Sequence, residues 1–302
     1  MLPEGFSNLV AITIENWDWD ILPEEDEQVW DALLYPVFLG RTVRSAQANY
    51  VKEVLDSYLM MEAAQTVRID PVWSKKVLKQ INSELDSISG TPGEGLKRAI
   101  LNTVAQDVQA LKLSRTLDTA LSFFERFDID VEKIKSIRND DNGTKELVDY
   151  ATREIYNVSY IKAVLWLYDC GIAYNLVPPN SHVKRFLAEC GYPGFGWSRD
   201  SEPEDWQIFA LACNKMSEVA QQAATALSQH ITAKQAQAAV WYLQTCRGLL
   251  PRKYARRLSP RTLIDFLQNQ RWNISKLADK LADVEELESL TEDLKIFLEI
   301  TL

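Results

Sequence analysis

Residues 177–190 read Val-Pro-Pro-Asn-Ser-His-Val-Lys-Arg-Phe-Leu-Ala-Glu-Cys, a turn that hands directly into a helix. Pro178 and Pro179 hold the entry extended, Asn180 or Ser181 caps the first turn, and Val183, Phe186 and Leu187 recur at helical spacing. A cap sits where unpaired backbone N–H groups meet the positive end of a helix, so a group placed there works in a ready electrostatic environment. A carboxylate at that place would supply negative charge and accept a proton; Asn180 does neither at neutral pH. His182 follows in the same turn, and Asp169 is the nearest candidate carboxylate.

The elements that must position these residues read as helices. Helical period runs through 27–66 (broken near Pro36 and Gly40), 71–89, 95–111, 113–127, 130–137, 144–156, 159–170, 181–190, 203–229, 232–246, 259–270 and 273–300. Asp70-Pro71, Thr91-Pro92, Thr144, Ser159, Ser181, Thr232 and Ser259-Pro260 mark starts. Leu9–Ile14 reads as one short strand, and Arg138–Thr144 as a polar loop. The fold expected is therefore all-α, about ten to twelve helices in two packed lobes with a groove between them. The organisation expected is an N-terminal helical segment at 1–94, a core at 95–250 and C-terminal helices at 251–302. Leu277, Leu281, Val284, Leu287, Leu290, Leu294 and Leu298 make 274–302 amphipathic, a helix that packs on the body or docks a protein partner.

A chain of 302 residues, 46% hydrophobic and 25% charged, has ordinary globular composition. The absence of any run of about 18 apolar residues argues against a membrane span, and the N-terminus lacks a basic region followed by an apolar one, which points to the cytoplasm. Two histidines and four cysteines at 170, 190, 213 and 246 fit no common metal pattern, and no Gly-rich phosphate loop occurs. Neither metal nor cofactor is implied. The net charge of −10 disfavours nucleic acid at first sight. Its distribution matters more: Val219–Ile264 holds no acidic residue, while Lys234, Arg247, Arg252, Lys253, Arg256, Arg257 and Arg261 supply seven positive charges. Such a stretch serves either as a one-sided anion-binding surface or as a solvated basic turn.

Val177–Arg185 resembles the active-site segment of the helix-hairpin-helix DNA glycosylase superfamily, usually Val-Pro-hydrophobic-Asp-x-His-Val-x-Arg. Ser159–Gly171 looks like the second helix of that family's hairpin, whose catalytic Lys lies about 18 residues before the Asp. Lys162 stands at that spacing from Asn180, and a shift of one residue puts Ile161 there instead. Thr232–Thr245, with Trp241-Tyr242, is similar to the end of archaeal and bacterial 8-oxoguanine glycosylases, and Leu101–Asp107 echoes an early helix whose wedging Gln would fall on Gln106. The resemblance covers about residues 98–250. The family's hairpin, Leu-Pro-Gly-hydrophobic-Gly-x-Lys, is here Tyr156-Asn-Val-Ser-Tyr-Ile-Lys162, without either glycine, and the catalytic Asp is Asn180. The closely spaced C-terminal cysteines that hold an iron–sulfur cluster in some members are also missing.

The resemblance implies a protein that flips a modified base out of DNA, with an oxidised base as the nearest parallel. The family carboxylate stabilises the charge that builds on the sugar, and a desolvated lysine attacks it to form a Schiff base. Lys162, Asn180, Asp169 and His182 fall in its catalytic region, while Gln106, Lys184, Arg185, Arg247, Arg252, Lys253, Arg256 and Arg257 are the expected nucleic-acid contacts. Loss of the carboxylate leaves three functions open: a glycosylase-like protein with degraded catalysis, a silent helical scaffold for DNA or protein, and an N-glycosylase for a free modified nucleotide.

Overall fold

The computed structural model describes residues 2–15, 21–38, 45–90, 93–195, 205–249 and 264. Among these residues the secondary structure is helical throughout, with thirteen helices and no strand. They fall into two compact units.

One unit joins the N-terminal helix α1 (Phe6–Glu15) to the chain from Ala173, which supplies α11 (Ser181–Glu189), α12 (Asp205–Leu227) and α13 (Ala233–Leu249). Residues 9–14 are thus helical and correct the strand expected there. Phe6, Leu9, Val10 and Thr13 fall on one helical face, and all four are buried. Phe6 meets Phe186 of α11 with ring centroids 4.8 Å apart. Met216 and Val219 of α12, Val240 and Leu243 of α13, and Ile264 complete this core. At the start of α13, Thr232 and Gln235 form a reciprocal capping box: the Gln235 N–H donates to Thr232 Oγ1, and the Thr232 N–H donates to Gln235 Oε1.

The other unit runs from Ile21 to Ile172. It contains α2 (Asp26–Phe38), α3 (Ser45–Leu59), α4 (Met61–Ala64), α5 (Pro71–Ser87), α6 (Glu94–Gln109), α7 (Lys112–Arg126), α8 (Val131–Ser136), α9 (Asp141–Glu154) and α10 (Tyr160–Asp169). Residue 94 lies inside this unit, where α5 and α6 pack on each other. Asp70, Asp130 and Asp140 cap α5, α8 and α9, each side chain accepting a first-turn N–H. The last of these caps corrects the loop expected at 138–144, since the helix starts at Asp141 and carries Gly143 within its first turn. Trp30 and Trp166 anchor the interior, their indoles donating to the carbonyls of Leu59 and Val29 at 2.8 and 3.0 Å. Phe124 lies between them, 5.5 Å from Trp30 and 5.7 Å from Trp166.

No helix among the described residues is long and apolar enough to cross a membrane. Of 251–302 only Ile264 is described, so the amphipathic segment 274–302 lies outside the described residues.

After α10 the chain turns at Gly171, whose φ of +69° lies in the left-handed region. A β-carbon there would run into the backbone carbonyl of Ile21. Gly171→Ala should therefore destabilise the protein by roughly 2–4 kcal/mol, which thermal unfolding would register as a clear drop in Tm.

Candidate functional site

The segment before α11 is buried: Leu176, Val177, Pro178 and Pro179 are all enclosed, the Val177 N–H donates to Cys213 Sγ of α12 at 3.3 Å, and the Asn180 N–H turns back to the Pro178 carbonyl at 2.7 Å. Prolines lack the N–H groups that such burial would otherwise leave to satisfy. Asn180 then takes the cap in extended conformation, φ −75° and ψ 173°. Its Oδ1 accepts from the backbone N–H groups of His182 and Val183 at 3.1 and 3.0 Å, and its carbonyl accepts from Lys184 N at 3.0 Å. Of the two cap candidates, Asn180 is the one used. Its side-chain oxygen satisfies the orphan donors of the first turn, where a carboxylate would do the same and add charge.

His182, Lys184 and Arg185 stand half-buried on the same short helix. Burial, aided by the Arg185 charge, lowers the His182 pKa to about 4. The imidazole is therefore neutral at physiological pH, able to offer one donor and one acceptor but no positive charge. Burial pushes the thiol of Cys190, just past the helix, up to about 11, which removes it as a nucleophile near neutrality.

Lys162 belongs to the other unit, in the first turn of α10. The chain enters that turn through a hairpin in which Asn157 adopts a left-handed φ of +61° and Val158 is buried. Ser159 occupies the cap. The Lys162 ammonium donates to the Asn157 carbonyl at 2.9 Å, closing the hairpin on itself. Burial lowers its pKa to about 8, partly opposed by the field of Asp107 on α6. An amine so tuned is partly neutral near pH 8 and has some nucleophilic character. Asp169 is the exposed last residue of α10, two helical turns or about 10 Å along the axis from Lys162. The carboxylate that acts on Lys162 is instead Asp107, next to exposed Gln106; it also holds Lys112 at 3.0 Å. Arg115 lies over the Tyr156 ring at 4.3 Å on the same hairpin.

Sequence reading missed Asp107, Lys112, Arg115 and the turn at Asn157. The charges of α7 were legible as a helical stripe, whereas the positive φ belongs to an Asn, a type that turns use in several ways. Lys234, counted above in a basic surface, is buried at 5% exposure on α13, its ammonium 5.7 Å from the centre of the Tyr174 ring. Of Arg247 only the backbone, within α13, is described, and Arg252, Lys253, Arg256 and Arg257 lie outside the described residues. Among the described residues, no group of three or more His, Cys, Asp or Glu could hold a metal ion. No protein-family model, known protein or solved structure matches the chain.

Two stability measurements check the cap and the histidine. Asn180→Ala should cost about 1 kcal/mol in denaturant unfolding, whereas Asn180→Asp should hold stability or raise it slightly. For His182 the folded pKa of about 4 lies below the ordinary 6.5. Between those values the unfolded chain binds more protons, so stability should fall as pH drops from 6.5 to 4. His182→Gln should flatten that part of the profile.

Proposed function

We propose that this chain is a DNA glycosylase-like protein that recognises a modified base while excising it poorly or not at all. The observation that carries this reading is the local order of α9, a tight hairpin with one left-handed residue, α10, a buried Pro-Pro segment, and a helix capped by the residue at the family's Asp position. The left-handed Asn157 stands where a first hairpin glycine is needed, because that is the position at which an ordinary side chain is strained. It supports the register in which Val158 is the hydrophobic residue, Ser159 takes the second glycine's place and Ile161 falls on the Lys position. In that register the chain lacks both the nucleophilic amine and the carboxylate of the bifunctional glycosylases. Lys162, one residue on, binds its own hairpin carbonyl.

Chemistry and architecture compete for these positions. Removing a group that stabilises developing charge commonly costs roughly 10²–10⁴ in rate. Binding by shape, stacking and side-chain hydrogen bonds survives that loss, since flipping and enclosing a base do not require the carboxylate.

The unaltered protein should bind duplexes containing an oxidised purine and release little base. Asn180→Asp should raise release, by roughly 10²-fold or more where the pocket is otherwise intact. Borohydride trapping of a protein–DNA adduct tests the lysine directly, and in the proposed register Asn180→Asp combined with Ile161→Lys is the variant that should trap. Robust release by the unaltered protein, undiminished by Lys162→Ala, would overturn the proposal of lost catalysis. Failure to bind the duplex at all would overturn the recognition.

A further inference from the structure

Three arginine–aromatic contacts line one side of the second unit, and none of them takes part in the reading above. Around α7, at about 100° per residue, Lys112, Arg115, Thr119, Ser122 and Arg126 fall within an arc of about 80°. Asp118, Leu121 and Glu125 occupy the neighbouring arc and, with Ser122 at the border of the two arcs, line a hollow beside Arg68 and Ile69. The buried face of the helix, Leu113, Leu117, Ala120 and Phe124, fills the remainder. The helix is thus divided lengthwise into an apolar, an acidic and a basic strip.

The basic strip runs beside the end of α9 and the hairpin. The Tyr156 N–H donates to Thr119 Oγ1 at 2.9 Å, and Arg126 pairs with Glu154 at 3.1 Å, which fixes the register of the two segments. Guanidinium groups lie over rings at both ends of this seam: Arg115 over Tyr156 at 4.3 Å, Arg126 over Phe127 at 5.2 Å, and Arg153 over Tyr150 at 5.1 Å. The Phe127 and Tyr150 rings stack on each other at 5.0 Å with 25° between planes. All three arginines are exposed, and Tyr150 keeps 37% of its surface open. The result is a row of flat, cation-bearing surfaces; Lys112 to Arg126 spans about 21 Å, the length of roughly six stacked nucleotides of one strand.

We propose that this seam is a binding track for single-stranded nucleic acid. Exposed guanidinium planes stack on unpaired bases and pair with phosphates, and aromatic faces accept bases without regard to sequence. A paired duplex hides its base faces, so it could use only the charge of the seam and not its planar surfaces. The track adjoins the hairpin of Lys162 but uses none of Asn180, Ile161 and Lys162, and it does not depend on the glycosylase-like reading.

The probe is a fluorescein-labelled oligothymidylate of about 15 nucleotides, followed by anisotropy over a range of salt. The full chain should bind it, and Arg115→Ala/Arg126→Ala/Arg153→Ala should weaken binding at least ten-fold. The log–log salt slope should also fall by about 2, because each single-strand phosphate contact contributes about 0.7. The triple Arg→Lys variant keeps the charges and should hold the slope while binding more weakly, and Tyr150→Ala alone should do likewise. Circular dichroism identifies folded variants, and the conservative Arg→Lys set keeps the test sound if the alanine set unfolds. Absence of binding by the unaltered chain, binding and slope unmoved in folded variants, or competition by polyglutamate equal to that by the oligonucleotide would each overturn the track.

Discussion

The hydrogen bond from the Trp166 indole to the Val29 carbonyl joins positions 137 residues apart and lies fully buried. Around it α2, α7 and α10 share one aromatic interior, with Phe123 and Phe124 against the indole at 6.2 and 5.7 Å. A tryptophan held by both ring contacts and a polar anchor has one orientation, so α10 has one rotation about its axis. That rotation turns Ala163, Val164 and Leu167 inward and leaves Tyr160, Ile161, Lys162, Leu165 and Tyr168 half-buried. The environment of Lys162 is therefore set by a residue four positions along the same helix, and the lowered amine pKa follows from packing. Deleting such a side chain typically costs 3–5 kcal/mol, a large share of a total stability of 5–15.

The polar residues singled out for chemistry are engaged in holding backbone. Asn180 Oδ1 serves two N–H groups of α11, and Lys162 Nζ serves the carbonyl of the residue that makes its own hairpin turn. An amide is a good cap because it accepts without demanding a counterion, and a lysine tied to a hairpin carbonyl is a good clamp. Neither arrangement provides the charge that sugar–base cleavage calls for. Asn180 Oδ1 and Lys162 Nζ are thus accounted for by the turns they close.

The helices were legible because their ends carry chemistry. Asp70-Pro71 and the Thr232–Gln235 box state helix starts in residue types alone, and α7 has an apolar stripe too regular to read otherwise. Leu9-Val-Ala-Ile-Thr-Ile14 was not legible, since a short β-branched apolar run suits a buried strand as well as a helix. What decides it is tertiary: Phe6, three residues before Leu9, docks on Phe186 and extends the stripe to the i, i+3, i+4, i+7 pattern. At 138–144 the glycine and paired aspartates suggested a break, but Asp140 caps the helix and the glycine lies within its first turn. At the site, the cap was readable and the hairpin register was not. Asn157 makes the turn with a φ of +61°, and its residue type alone does not announce that angle.

Charge is a property of faces as well as of the whole chain. A net charge of −10 describes the far field, and at physiological salt that field decays over about 8 Å. Side chains three or four residues apart on a helix are about 5–6 Å from each other, so the acidic and basic strips of α7 lie within one screening length. Asp118, three residues after Arg115, and Glu125, beside Arg126, therefore lower the positive potential along the basic strip. The acidic pairs that do reach that edge, Asp107 with Lys112 and Glu154 with Arg126, leave Arg115 and Arg153 on their rings. The affinity of any such edge for an anion is decided at this scale, residue by residue, and the guanidinium–ring surfaces are the part of it that neighbouring carboxylates do not cancel.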